Sequence, residues 1–190
     1  LTTVTAATNY TNTSVALDDP ANYAGKNVNV DSSQAPTGAV SANTLRFNDA
    51  TSHTLTLQGA NAVAAGTILV GTGAGNSASA IAGGTLDTGT GLTVIQNNTG
   101  SLEIGSSITG TGAVTKLGTA GTLIFSSANS YTGETTVAAG TLQLAHADAI
   151  ASSSGLTLAG GNVAFGVPVV NLNAMTIKNA NTTVSDGTLN

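Results

Sequence analysis

Residues 110–150 constrain this chain more than any other stretch. They consist of strand-favouring runs too short to stand alone, at Ala113–Leu117, 122–126, Thr135–Val137 and Thr141–Leu144, each ended by a glycine-bearing turn. A run of this length can bury its apolar side chains only against a neighbour of the same kind, which is how a solenoid is built. Comparable runs occur along most of the chain: 14–17, 27–30, 44–47, 54–58, 67–70, 81–86, 92–95, Ser101–Ile104, Leu156–Leu158, Asn162–Phe165, 169–172, Met175–Ile177 and 182–184. A small-Thr-Leu/Ile phrase recurs through them, beginning at Asn43, Gly66, Gly84, Gly121, Gly140 and Gly187. Its spacing is irregular, as in degenerate repeats. Only residues 147–151 could form a helical turn.

Period-2 alternation with a turn every ten or so residues means all-β. A sandwich or barrel would show the same spacing. The shortage of charge separates them. Charged residues are 7% of the chain, against about 25% in an ordinary soluble domain, and the outward strand positions carry Thr, Ser and Asn. Like residues in these positions can form ladders between stacked rungs, with Thr–Thr and Asn–Asn hydrogen bonds. With 41% hydrophobic residues and a mean hydropathy of +0.22, the chain is not of disordered composition. The expected fold is an all-β, right-handed parallel β-helix (a β-solenoid). At about 20–25 residues per coil it has roughly eight coils and, at about 4.8 Å per rung, a rod about 40 Å long. The whole of 1–190 reads as one solenoid segment of a larger protein, with 1–40 carrying the weakest pattern.

Net charge is −5, from nine acidic and four basic residues. Lys26, Arg46, Lys116 and Lys178 are far apart in sequence and make no basic stripe, so neither nucleic acid nor an anionic membrane is an expected partner. There is no cysteine, hence no disulfide framework or thiolate metal site. The sequence begins at Leu1 with no leader pattern and reads as a mature or excised piece. Residues 62–70 are too short and too interrupted for a membrane helix. Three Tyr and three Phe cannot supply the two girdles of a membrane barrel.

β-Helices also host polysaccharide-active enzymes, which need clustered carboxylates and a base. Here Asp18-Asp19-Pro20 reads as a turn and Glu103 and Glu134 as solitary, solvated face residues; an enzyme would need at least two of Asp18, Asp19, Asp31, Glu103 and Glu134 to converge in one groove. His53 and His146 lie far apart without metal-ligand spacing and read as surface turn residues. Gly71–Gly75 lacks the Lys of a phosphate loop, and 83–87 lacks the repeated calcium nonapeptide. Sequons at Asn9, Asn12, Asn97 and Asn181 are what chance supplies in a chain rich in Asn and Thr. Tyr131 has two readings, an exposed platform for sugar stacking, together with Tyr23, or a turn aromatic covering a rung. No catalytic residue, cofactor or metal site is expected.

One longer phrase runs from Gly110 and Gly112 through Thr115-Lys116, Gly121-Thr122-Leu123 and Asn129-Ser130-Tyr131-Thr132-Gly133-Glu134-Thr135 to Gly140-Thr141-Leu142. It resembles the autotransporter-associated β-strand repeat of bacterial passenger proteins, with Ala120 inserted and Phe125 in place of a more usual aliphatic. That resemblance implies a β-helix exported across a Gram-negative envelope and displayed on the cell surface or released. It further implies a non-catalytic role in adhesion, self-association or fibre formation. The expected partners are further copies, head to tail or side by side, or host, matrix or cell-surface molecules. A polysaccharide-active β-helix enzyme or a carbohydrate-binding module is the alternative.

Overall fold

The structure, a computed structural model, describes residues 10–12, 18–178, 184, 185, 188 and 189. The expected runs at 14–17 and, except for Val184, at 182–184 lie outside them. Among the described residues the regular structure is β, apart from two single 3₁₀ turns at Pro20–Asn22 and Thr72–Ala74. Residues 147–151 form turns, not a helix.

Every strand pairing is parallel, and the chain stacks as a β-solenoid of about eight turns. The first sheet stacks Tyr10–Asn12, Asn27–Asn29, Ser41–Phe47, Ala60–Val70, Gly91–Gln96, Ala113–Leu117, Thr135–Val137, Leu156–Leu158 and Met175–Ile177. The second stacks Thr54–Thr56, Ala78–Ala82, Ser101–Ile104, Thr122–Phe125, Thr141–Leu144, Asn162–Phe165 and Val184–Ser185. Thr85–Asp87 and Ser107–Thr109 add a short third column beside the first sheet. Parallel strands cannot be joined by tight hairpins. From Ser41–Phe47 onward each coil therefore crosses to the opposite sheet before returning one rung further on.

Alternation along each strand becomes stacking between strands. On the first sheet one interior column runs Val28, Leu45, Ile68, Val94, Lys116, Val137 and Leu158 in register, and Ile177 continues the register at the end of the column, where it is exposed. On the second, Leu55, Ile81, Ile104, Phe125, Leu144 and Phe165 stack in the same way, all buried. At about 25 cal/mol per Å² of apolar surface removed from water, these columns supply the main drive for folding. The outward position of the first sheet carries Thr44, Thr67, Thr93, Thr115, Thr136, Thr157 and Thr176 in one register.

The expected ladder bonding is only partly realised. Asn43 Nδ2 donates to Asn27 Oδ1 at 2.6 Å across adjacent rungs. Among the described residues the hydroxyls of Thr93, Thr115 and Thr136 make no hydrogen bond to the protein. Threonine serves this column through its branched, stiff side chain and its fit to a pleated surface.

Candidate functional site: the repeat segment and its corner

The glycines of the repeat are placed where coils approach one another most closely. Gly121 and Gly140 occupy the same corner on successive rungs, both at φ +70°, a left-handed conformation that disfavours any side chain. A Cβ on Gly112 would lie 2.6 Å from Gly91 N and 2.7 Å from Gly89 O, so the corner there closes backbone on backbone. Gly133 sits against Gly112 of the preceding coil, as Gly110 does against Asp87 and Thr88 of the coil before it. Thr122, Leu123, Thr141 and Leu142 are strand residues, with both leucines inward and fully buried.

Asn129 binds three coils together. Its side-chain oxygen accepts from Ile108 N at 2.8 Å, and Nδ2 donates to Ala149 O at 2.8 Å. Asn61 makes the same clasp earlier in the rod, accepting from Val40 N at 2.7 Å and donating to Thr85 O at 3.0 Å. Both amides are buried. They satisfy backbone groups where strand pairing lapses, and an unmet buried polar group would be costly there. Asn61 carries no motif signal in the sequence; the turn residues before it are its only local mark.

Tyr131 is 1% exposed and Tyr23 fully buried, which excludes both as platforms for sugar stacking. The bulk of each ring is taken up by core packing. Tyr131 Oη lies 2.6 Å from Thr135 Oγ1, which lies 3.0 Å from Ser153 Oγ, and Ser153 donates in turn to the Gly133 carbonyl. Thr132 anchors the turn outside, its N–H donating to Gly110 O at 3.0 Å. Burial pushes the Tyr131 hydroxyl up to about 12, and burial together with the Asp18 charge does the same for Tyr23.

The other candidate groups are dispersed. Glu103 stands outward on the second sheet, bonded by Ser126, whereas Glu134 lies beside the first sheet, bonded by Thr157. Asp19 caps the 3₁₀ turn by accepting from Ala21 N. Asp31 and Asp18 belong to the same early coils, and Asp18 gives its carbonyl to Thr37. His53 pairs with Asp49 at 3.2 Å within one turn, and His146 Nδ1 accepts from Asp148 N. Thr51 donors, followed by His53, hold the Asp49 carboxyl below the usual carboxylate range. Among the described residues no three His, Asp or Glu gather as a metal set. Residues 71–75 form a 3₁₀ turn pinned by Asn48, whose Oδ1 accepts from Gly73 N.

Lys116 departs most from the sequence-based expectation. Strand alternation places it on the same side as Val114, and it is 1% exposed in an otherwise aliphatic column. Its Nζ donates to Leu117 O at 2.9 Å and Ala120 O at 3.4 Å, with no carboxylate in contact. Burial pushes it down to about 8 from the usual 10.5. One rung earlier, Gln96 performs a similar task, donating from Nε2 to Gly100 O and Thr122 O. Gln96 Oε1, Asn98 Oδ1 and Ser77 Oγ are buried at this corner without partners.

Outside the corner lies an open groove of about 440 Å³, lined by Thr99, residues 119–122 and 139–141, Gly160 and Asn162. It offers hydroxyls, an amide and glycine backbone, with no aromatic or charged side chain in its lining.

No helix among the described residues is long and apolar enough to cross a membrane. Neither the curated proteins nor the solved structures contain a significant match to the chain. A family model, the passenger-associated-transport-repeat, matches residues 114–144. The matched segment takes in Lys116, Asn129, Tyr131 and the glycine corner, and falls inside the stretch that the sequence marks as its strongest repeat. The segment that matches the passenger-associated-transport-repeat is thus carried within a parallel β-solenoid.

Proposed function

We propose that this chain is a rod-forming segment of an exported bacterial passenger, held outside the cell or on its surface. It acts by presenting flat, weakly charged faces to host, matrix or cell-surface molecules or to further copies of itself. The observation that carries this reading is the parallel stack of strands with a match to a passenger-associated repeat inside it. A solenoid spends its sequence on stacking, and its long faces are then available for contact. The role is structural and adhesive, without catalysis. The separation of Glu103 and Glu134 onto different sheets, each with its own hydroxyl partner, weighs against a glycan-cleaving pair.

Surface display tests the proposal. The chain, fused to a translocator in a non-adherent bacterium, is expected to become accessible to added protease on intact cells and to raise autoaggregation or attachment to matrix-coated surfaces. Display at full level with aggregation and attachment unchanged from the translocator alone would refute the adhesive role.

A further inference from the structure

We infer that the corner groove over Lys116 is a binding site for the carboxylate of an acidic saccharide. The ammonium is buried and has three N–H donors but only two carbonyl acceptors among the described residues, Leu117 and Ala120. Ala120 and Gly140 both line the groove. A Cβ on Gly140 would lie 2.7 Å from Nζ, so at this wall only a glycine separates the ammonium from the groove. The strands packed around it, Gly91–Gln96, Thr135–Val137, Thr122–Phe125 and Thr141–Leu144, contain no Asp, Glu or His. The nearest carboxylates in sequence, Glu103 and Glu134, are engaged elsewhere, by the hydroxyls of Ser126 and Thr157.

A buried cation without a counter-ion leaves a local positive field in a rod of net charge −5, and low dielectric surroundings strengthen that field. An anionic group entering the groove would meet this field together with the Thr99, Thr119, Thr122 and Thr141 side chains. The N–H groups of Gly121 and Gly140, which make no hydrogen bond inside the described fold, are further donors for a carboxylate. A polar lining with no apolar platform suits a hydroxylated ligand better than a peptide or lipid. The volume falls in the range of small-ligand sites, about 300–1,000 Å³.

The depressed pKa of Lys116 gives this site a signature that a merely structural lysine would lack: affinity must fall as Lys116 loses its proton. Calorimetric titration of the purified 190-residue chain with trigalacturonate at pH 6.5 is expected to show binding that weakens by about tenfold or more by pH 9.5, since the protonated fraction of Lys116 falls about tenfold per pH unit above its pKa. Galactotriose, acetate and sulfate are expected to bind at least tenfold more weakly at pH 6.5. Lys116→Met is expected to abolish both the affinity and its pH dependence. Should Lys116→Met fail to fold, the wild-type pH profile and the paired variants Thr122→Val and Thr141→Val decide. Absence of trigalacturonate binding, a flat pH profile, or equal binding of acetate or sulfate would overturn the inference. The measurement uses the isolated chain, so its outcome is independent of the display experiment above.

Discussion

Replacing Lys116 with Met tests the energetic reading of the interior column. In the native state the ammonium is pushed down to about 8, whereas the unfolded chain keeps it at its ordinary 10.5. Between these values the unfolded chain binds a proton that the native protein does not, so stability rises with pH across the window. At about 1.4 kcal/mol per pH unit, the interval corresponds to about 3 kcal/mol withheld from the native state at neutral pH. Roughly 2 kcal/mol of this is recovered between pH 7.5 and 10. Methionine fills a similar volume and removes the titration, but leaves the Leu117 and Ala120 carbonyls without a donor, which costs about 1–3 kcal/mol. Net stability at pH 7.5 is therefore expected to change little, while its pH slope disappears. Tyr23 and Tyr131, pushed up to about 12, oppose the trend once unfolded tyrosines ionise near pH 10, equally in both proteins. Urea unfolding of the wild type and Lys116→Met at half-unit intervals from pH 7.5 to 10 measures the difference. Parallel stability curves for the two proteins would refute the reasoning.

Three further perturbations address the coil clasps and corners. Asn129→Ala leaves the Ile108 N–H and the Ala149 carbonyl unpaired inside the rod and is expected to destabilise by about 2–4 kcal/mol in urea unfolding; a shift below half a kcal/mol would mean that solvent reaches these groups. Gly112→Ala and Gly59→Ala separate two uses of glycine. At Gly112 the obstacle is neighbouring backbone, whereas at Gly59 (φ +69°) there is open space and only the left-handed conformation resists. Gly59→Asn is thus expected to recover most of the roughly 1–2 kcal/mol lost in Gly59→Ala, while Gly112→Asn recovers none, as read from thermal midpoints. Tyr131→Phe removes the contact with Thr135 and is expected to cost about 1 kcal/mol without altering any saccharide affinity; lost affinity would return Tyr131 to a binding role.

The strand segments were legible because their signals are local: alternation, β-branched residues and glycine at the turns. Ser107–Thr109 and the early part of Ala60–Val70 carry no clean alternating pattern and become strands by pairing with Thr85–Asp87. The early coils carry the faintest pattern, yet Asn27–Asn29 stacks in register on Ser41–Phe47 through Val28 and Leu45. Lys116 was half legible. The alternation of Ala113–Leu117 places it beside Val114 on the inner side, but lysine's solvation makes exposure the default until the stacked residues are known. Tyr131 and Asn129 were recognised as repeat residues, but nothing within a few positions of either says that the ring is buried or that the amide spans three coils.

By itself, then, the sequence determined that these runs are strands, that they are too short to fold alone, and that they stack with little charge on their faces. Tertiary structure alone decided which rung covers which, and hence which polar groups are enclosed. Successive Val94, Lys116 and Val137 are 22 and 21 residues apart, while Ile68 and Val94 are 26 apart. The corners absorb that difference, so no fixed period in the chain predicts the register. Burial of Lys116 is set by Val94, Val137 and the glycine corner together, three neighbours that the chain brings to one place only after each coil has closed.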